Sequence, residues 1–303
     1  MDAKDNSIEN QVLNWISGEG YPLEYKVANI LRRNHFATFQ GTYVKDFKSH
    51  LPRELDVVAQ YNVQTNNFYL RASFVVECKW SEDKPWVIFV DESSQISPGA
   101  CIAQTIATKP MEAALWFLAN DPDAQKSKLF ETPNRPGFNG RQCFGKQDLV
   151  YSSLQSVVSA CYSKKLEYEM HKVHPKDHLA LGALMFPIIV IDGKLYEAAY
   201  NSNTDKIEIE SKNKVRLHWK GAEAWKFHST IDIITIEEFP QYVQRIRKEI
   251  EAFTPNLIKT YSAVFSAVTQ NSIDPLSQYL SVTKDDLRLP HFLSYLTQQY
   301  SAF

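Results

Sequence analysis

The sequence has no long apolar run and no paired cysteines. No stretch of about 18 consecutive apolar residues occurs, so we expect no transmembrane helix. The first residues, MDAKDNSIENQ, are polar and acidic, whereas a secretory signal is basic and then apolar. The cysteines are far apart without a C-x-x-C pair, which argues against a disulfide framework or zinc ribbon and predicts a reducing cytoplasm. They are Cys78, Cys101, Cys143 and Cys161.

The sequence also has no surplus of positive charge. The 33 Lys and Arg residues are balanced by 35 Asp and Glu residues, so the formal net charge is −2. This balance excludes a polybasic protein that binds nucleic acid with its whole surface, but it leaves room for a local basic groove. Of the 303 residues, 44% are hydrophobic, which is enough to form the core of one large domain or two ordinary ones.

The hydrophobic periodicity changes several times along the chain. Two alternating segments, RELDVVAQY and FYLRASFVVECKW, are typical of strands, and apolar positions three and four residues apart indicate helices elsewhere. The resulting order predicts one α/β domain with a helical C-terminal tail. The predicted elements are helices over 8–16, from 22, over 100–108, over 111–118 and over 147–163, strands over 37–43, 53–61, 68–80, 86–90, 206–210, 215–219 and 229–236, and mostly helix after 237.

Glycine and proline mark two further features. Asp192-Gly193 lies between two apolar runs in MFPIIVIDGKLYEAAY, which predicts a β-hairpin turn at that dipeptide. The segment TPNRPGFNGRQCFG is rich in both residues, so we predict a loop over 132–145. Its Arg135 and Arg141 are candidates for contacts with a nucleic-acid backbone.

One cluster of charged residues in the two central strands is suited to catalysis. Glu77 and Lys79 share a strand face, and Asp56 lies on the corresponding face of the preceding strand. Paired strands bring such side chains within about 5.5 Å, and two carboxylates form the hard oxygen site that Mg²⁺ prefers. The alternative is a solvated strand face carrying a Glu–Lys ion pair. Glu54 shares the face of Asp56 and is an alternative acid.

This arrangement resembles the PD-(D/E)xK nuclease superfamily, which has the restriction-endonuclease-like fold, and in particular its Mrr-like branch. An acid that ends the second strand and a (D/E)-x-K sequence on the third match Asp56 and Glu77-Cys78-Lys79. Glu24 matches a glutamate that many members carry in the preceding helix, and Gln155 matches a glutamine in a later helix. The alternatives are that Glu24 merely favours the helix dipole and that Gln155 is a surface amide.

The resemblance implies a core of a helix, three strands, a helix and further strands in a mixed central sheet. We therefore expect a nuclease domain over 1–240 with an insertion at about 91–146, followed by a helical C-terminal extension over 241–303 that packs on it. The resemblance implies Asp56, Glu77, Glu24 and the Cys78 carbonyl as ligands of Mg²⁺ or Mn²⁺. It also implies that Lys79 positions the attacking water, with Glu24 and Gln155 as further catalytic residues.

The function implied by the resemblance is a magnesium-dependent endonuclease that acts on DNA and leaves a 5′-phosphate, in a role such as antiviral defence. A homodimer is expected if both strands are cut together. The alternative is a nucleic-acid-binding or scaffold subunit of a larger helicase or ATPase machine, with a weak catalytic site. Arg53 and Arg71 are candidates for phosphate contacts or are solvated.

The segment MHKVHPKDH contains another group of metal-ligating residues. His171, His174 and His178, with Cys161 upstream, have spacings that suit a transition metal on a helix. Pro175 interrupts such a helix, so we interpret the segment as a solvated connector.

Overall fold

The computed structural model describes residues 7–92, 95–145, 148–170, 180–220, 228–270, 272 and 274–276. In these ranges six helices accompany a nine-stranded mixed sheet, which confirms the predicted α/β class. None of these helices has the apolar stretch that a bilayer crossing requires. The helices are α1 (Ile8–Gly18), α2 (Tyr21–Arg33), α3 (Pro98–Ala103), α4 (Lys109–Leu118), α5 (Leu149–Met170) and α6 (Phe239–Gln270). The strands are β1 (Ala37–Lys45), β2 (Pro52–Gln64), β3 (Phe68–Val90), β4 (Ile106–Ala107), β5 (Gly137–Gln142), β6 (Ala180–Asn201), β7 (Lys206–Lys212), β8 (Lys214–Lys220) and β9 (His228–Thr235).

The first two helices begin where the sequence predicts. Ser7 caps α1, since its hydroxyl accepts a hydrogen bond from Asn10 N at 3.3 Å. Pro22 lies in the first turn of α2, where a missing N–H has no cost. The inward side of α2 is buried against the sheet, and it comprises Leu23, Val27, Ala28 and Leu31.

The core of the sheet is an antiparallel meander extended by one parallel strand. β1 pairs antiparallel with β2, and β2 pairs antiparallel with β3. On its other side β3 pairs parallel with β6, which follows α5 in the chain. Helices cover both faces of this sheet: α2, α4 and α6 share one apolar cluster, and α5 belongs to another. The molecule is thus layered as helix, sheet and helix.

The outer strands close into a ring with the central ones. β3 pairs with β5, β5 with β8, β8 with β9, β9 with β6, and β6 with β3. The predicted loop over 132–145 is therefore wrong for 137–142, which form β5. Its Gly140 permits close packing rather than a turn, because a Cβ there would lie 2.6 Å from Ile88 Cδ1.

The predicted hairpin at Asp192-Gly193 is also wrong. β6 runs through this dipeptide without reversing and remains beside β3. A Cβ at Gly193 would lie 2.7 Å from Ser81 Cβ, so the glycine serves a close approach of the two strands, next to a register shift near Trp80.

The C-terminal helix is part of the main core over its described length. α6 begins at Phe239, so the domain boundary predicted at 240 falls in its first turn. Its Tyr261 is fully buried and packs edge-on against Phe68 of β3, with ring centroids 4.8 Å apart. Residues 277–303 of the predicted extension lie outside the described residues.

Candidate active site

Strand β3 places Glu77 and Lys79 on one face. Their neighbours Val76 and Cys78 point the other way, into the apolar cluster shared with α2 and α6. Lys79 Nζ donates to Glu77 Oε1 at 2.6 Å, with the two side chains 28% and 13% exposed. The pair is therefore partly shielded from solvent, which strengthens its attraction relative to an ion pair in water.

Asp56 lies where the pairing between β2 and β3 ends. The ladder runs from Gln64↔Tyr69 to Val57↔Val76, and Asp56 is the next residue of β2. Its Oδ2 accepts a hydrogen bond from Cys78 N at 2.8 Å, so the carboxylate is bound to the backbone between Glu77 and Lys79.

Four carboxylates and one ammonium interact at this end of the sheet. Burial and the charges of Asp56 and Glu54 raise the pKa of Glu24 to about 7. Burial and the charge of Glu77 raise the pKa of Asp56, although the Cys78 N–H opposes the shift. Burial alone would lower the pKa of Lys79, but Glu77 raises it above its usual value, so the ammonium is retained.

The structure thus brings Glu24, Asp56, Glu77 and Lys79 together. The charge of Glu54 helps to raise the pKa of Glu24, but the Glu54 side chain is exposed. Asp56, in contrast, is partly buried and hydrogen-bonded to β3. Asp56 is therefore the better placed of the two candidate acids.

Glu24→Gln should stabilise the metal-free protein above pH 7 and leave its stability unchanged below pH 4.5. A carboxyl whose pKa is raised by folding holds a proton that the unfolded chain releases between these values, so wild-type stability falls as pH rises through this window. Because Glu24 is partly solvated, we expect a gain of only about 1 kcal/mol. Urea unfolding of both proteins in a chelating buffer, from below pH 4.5 to above pH 7, measures this difference in unfolding free energy. Glu9→Gln, in the first turn of α1, is the matched control; an equal gain there would contradict the assigned cause.

Helix α5 contributes Ser156 to the site rather than Gln155. Gln155 is exposed, and its Nε2 donates to Tyr151 Oη at 2.8 Å within the same helix. Ser156 Oγ donates to Glu77 Oε2 at 3.0 Å. Ser156 could not be selected from the sequence, because no spacing or motif links it to Glu77, which is 79 residues away.

Arg53 and Arg71, two of the four arginines singled out in the sequence, have different partners. Arg53 Nη1 donates to Ser156 Oγ at 3.2 Å, and its Nε donates to Asp46 Oδ2 at 2.6 Å. Arg71 Nε donates to Asn62 at 2.7 Å. Arg53 therefore belongs to the hydrogen-bonded surroundings of Glu77.

The oxygen-rich donor set suits a hard divalent cation. Glu24 and Asp56 are close enough to other carboxylates for their charges to raise the pKa of each, and a cation would relieve this repulsion. Among the described residues, no group of three or more His, Cys, Asp or Glu side chains is arranged to hold a metal as it stands. Binding would therefore require at least one of the carboxylates to move closer to the others. His171, His174 and His178 lie outside the described residues, and Cys161 is fully buried in the cluster of α5.

Comparison of the chain with protein-family models, curated proteins and solved structures finds no match.

Proposed function

We propose that the protein is a metal-dependent endonuclease that hydrolyses DNA phosphodiester bonds. The observation that carries this proposal is the meeting of Asp56, Glu77 and Lys79 where the β2–β3 ladder ends, with Glu24 of α2 beside them. Two or more carboxylates beside a retained ammonium supply the charges needed to bind a divalent metal and to stabilise a phosphoryl transition state.

The order of elements supports the restriction-endonuclease-like interpretation. A helix (α2), three antiparallel strands (β1–β3), a helix (α5) and a strand parallel to the third (β6) follow in the expected sequence. The residues between β3 and α5, which contain α3, β4, α4 and β5, form the insertion of this scheme. Asp56 lies on β2, and Glu77 and Lys79 lie on β3, which are the strands on which the resemblance expects them and which support the proposal.

Asp56, Glu77 and Glu24 are the residues that would hold Mg²⁺ or Mn²⁺, with the Cys78 carbonyl as a further ligand. The bound metal would supply a Lewis acid for the phosphoryl oxygen. The positions of Glu77 and Asp56 are fixed before binding, by Ser156 and Lys79 for the first and by Cys78 N for the second.

Lys79 acts as a donor rather than as a general base. Its raised pKa keeps it protonated, and a protonated amine has no lone pair with which to accept a proton from water. It orients the attacking water by hydrogen bonding and neutralises charge that develops on the scissile phosphate. The water oxygen forms the new bond to phosphorus as the bond to the 3′ oxygen breaks. The attacking water releases one proton to solvent and the 3′ oxygen takes up one proton from solvent, which gives a 5′-phosphate and a 3′-hydroxyl.

Basic residues in and beside the β1–β2 connection are suited to the DNA backbone. Lys45, Lys48 and Arg53 lie in or beside the β1–β2 connection, and Arg53 reaches Ser156 next to Glu77. A local group of this kind binds phosphates although the whole chain is nearly neutral.

The test is an assay of purified protein on plasmid, linear double-stranded DNA, single-stranded DNA and RNA. We expect DNA hydrolysis with Mg²⁺ or Mn²⁺, no hydrolysis with EDTA, and ligatable 5′-phosphate ends. Hydrolysis that persists in EDTA, or preference for RNA, would contradict the proposal as stated.

The second candidate is a nucleic-acid-binding or scaffold subunit of a larger machine. It is favoured by the arrangement of the carboxylates, since no group of three or more metal-ligating side chains among the described residues is placed to hold a metal as it stands. DNA binding without hydrolysis under every metal condition would support this candidate and overturn the first.

A further inference from the structure

Both oxygens of the Glu77 carboxylate accept hydrogen bonds, and one of these bonds comes from helix α5. Oε1 accepts from Lys79 Nζ at 2.6 Å, whereas Oε2 accepts from Ser156 Oγ of α5 at 3.0 Å. A carboxylate bound at one oxygen still has rotational freedom, and a second bond on the other oxygen removes most of it. Ser156 is therefore placed to fix the plane of the Glu77 carboxylate.

The direction of the hydrogen bonds around Ser156 follows from chemistry. A guanidinium has only donors, so Ser156 Oγ accepts from Arg53 Nη1 at 3.2 Å. The hydroxyl has one proton, and the Glu77 carboxylate is an acceptor. Arg53 thus orients the hydroxyl so that its proton is directed at Glu77.

Arg53 is itself anchored by Asp46. Its Nε donates to Asp46 Oδ2 at 2.6 Å, and this oxygen also accepts from Ser159 Oγ of α5 at 2.7 Å. The other oxygen of Asp46 accepts from Ser49 N at 2.8 Å. The Asp46 side chain is 4% exposed, so it is a rigid support.

We propose that Ser156 is a positioning residue for Glu77, oriented by the Asp46–Arg53 pair. The proposal rests on the proposed function, because fixing a ligand carboxylate matters for metal binding and cleavage. Residues that orient a metal ligand contribute through that ligand, and their loss costs about 10- to 100-fold in metal affinity or activity. Ser156 does not touch the reacting atoms.

The test compares Ser156→Ala with Ser156→Thr, which retains the hydroxyl, and with Ser152→Ala, which removes an exposed hydroxyl of the same helix. Thermal unfolding without metal shows whether each variant folds. Titration with Mn²⁺ alone, followed by calorimetry or by loss of the free Mn²⁺ EPR signal, should show about 10- to 100-fold weaker binding for Ser156→Ala. Ser156→Thr and Ser152→Ala should bind Mn²⁺ almost as wild type does. Equal Mn²⁺ affinity of Ser156→Ala and wild type would overturn the positioning role.

A double variant tests whether Arg53 acts through Ser156. Arg53→Gln should weaken Mn²⁺ binding, but it should add little to the loss already caused by Ser156→Ala, since the two residues act on the same carboxylate. Fully additive losses would show that Arg53 acts by another route.

A metal-free crystal structure of Ser156→Ala separates this inference from the proposed function. We expect the Glu77 carboxylate to rotate or to take several orientations, whether or not the wild-type protein cleaves DNA. A carboxylate that keeps its single orientation through Lys79 alone would overturn the inference. A wild-type protein that neither binds Mn²⁺ nor hydrolyses DNA would overturn the proposed function instead.

Discussion

Lys79→Ala should lower the rate of metal-dependent DNA cleavage by about 10²- to 10³-fold while the protein stays folded and still binds DNA. The ammonium lies 2.6 Å from Glu77 Oε1 and is retained because that carboxylate raises its pKa. Its proposed contributions, orientation of water and neutralisation of phosphate charge, occur in the transition state, so the loss should appear in kcat rather than in DNA affinity.

Single-turnover cleavage of a labelled duplex in Mn²⁺, with DNA affinity measured separately in Ca²⁺, tests this result. Lys126→Ala is the matched control, because Lys126 belongs to an exposed ion pair with Asp123. Glu77→Gln retains the size of the side chain but removes its charge, so it should weaken Mn²⁺ binding as well as cleavage. Cleavage by Lys79→Ala at the wild-type rate would show that the site lies elsewhere.

The proximity of Glu77, Lys79 and Asp56 could be predicted because the relevant pattern is local. Glu77 and Lys79 are two residues apart in a strand, so they must share a face, and the structure joins them in one ion pair. Asp56 required the pairing of two adjacent strands, which alternation also indicated. Alternation does not predict where the pairing of β2 and β3 ends. The ladder ends at Val57↔Val76, so Cys78 N is left to donate to the Asp56 side chain.

The supports of the site could not be predicted, because they depend on contacts across long chain separations. Ser156 is 79 residues from Glu77 and 103 residues from Arg53 along the chain, yet it forms hydrogen bonds with both. In the sequence, the serines of α5 look like ordinary surface residues. Polar residues in a helix usually face solvent, so their pattern does not distinguish Ser156 from the exposed Gln155, which the resemblance alone selected.

Two predictions that depended on glycine, the turn at Gly193 and the loop around Gly140, were wrong for the same physical reason. A glycine indicates either a turn or a place where chains approach closely, and the sequence does not distinguish the two. Gly193 and Gly140 are both of the second kind, since a Cβ would lie 2.7 Å from Ser81 in one case and 2.6 Å from Ile88 in the other. The predicted turn and loop are accordingly parts of strands β6 and β5.

The buried ion pair between Arg216 and Asp232 was also absent from the sequence interpretation. The two residues lie opposite each other on β8 and β9, and the guanidinium binds the carboxylate through two bonds of 2.6 Å. Tyr242 of α6 donates to the same carboxylate at 2.8 Å. Arg216 also donates to the carbonyls of Leu129 and Glu131. The group therefore joins two strands, a helix and the segment before β5.

Asp232→Ala should lower the free energy of unfolding by about 3–5 kcal/mol, a large part of the 5–15 kcal/mol typical of folded proteins. The carboxylate is 4% exposed, and its loss would leave Arg216 buried without its charge partner. It would also remove the negative charge 3.8 Å from Lys214 Nζ. Hydrogen bonds to two carbonyls would remain for Arg216, but carbonyls do not neutralise its charge.

Urea unfolding of wild type and Asp232→Ala measures this loss, and Asp123→Ala in the exposed pair with Lys126 should leave the unfolding midpoint unchanged. The pair holds the pKa of Asp232 well below its ordinary value, so its contribution is present above about pH 4 and is lost as the pH falls further. The unfolding free energies of the two proteins should therefore converge in acid.

The double variant Arg216→Met/Asp232→Leu should lose less stability than Asp232→Ala, because it leaves no unpaired charge. If the double variant is instead the less stable, the packing of these side chains, and not their charge, holds β8 and β9 against α6.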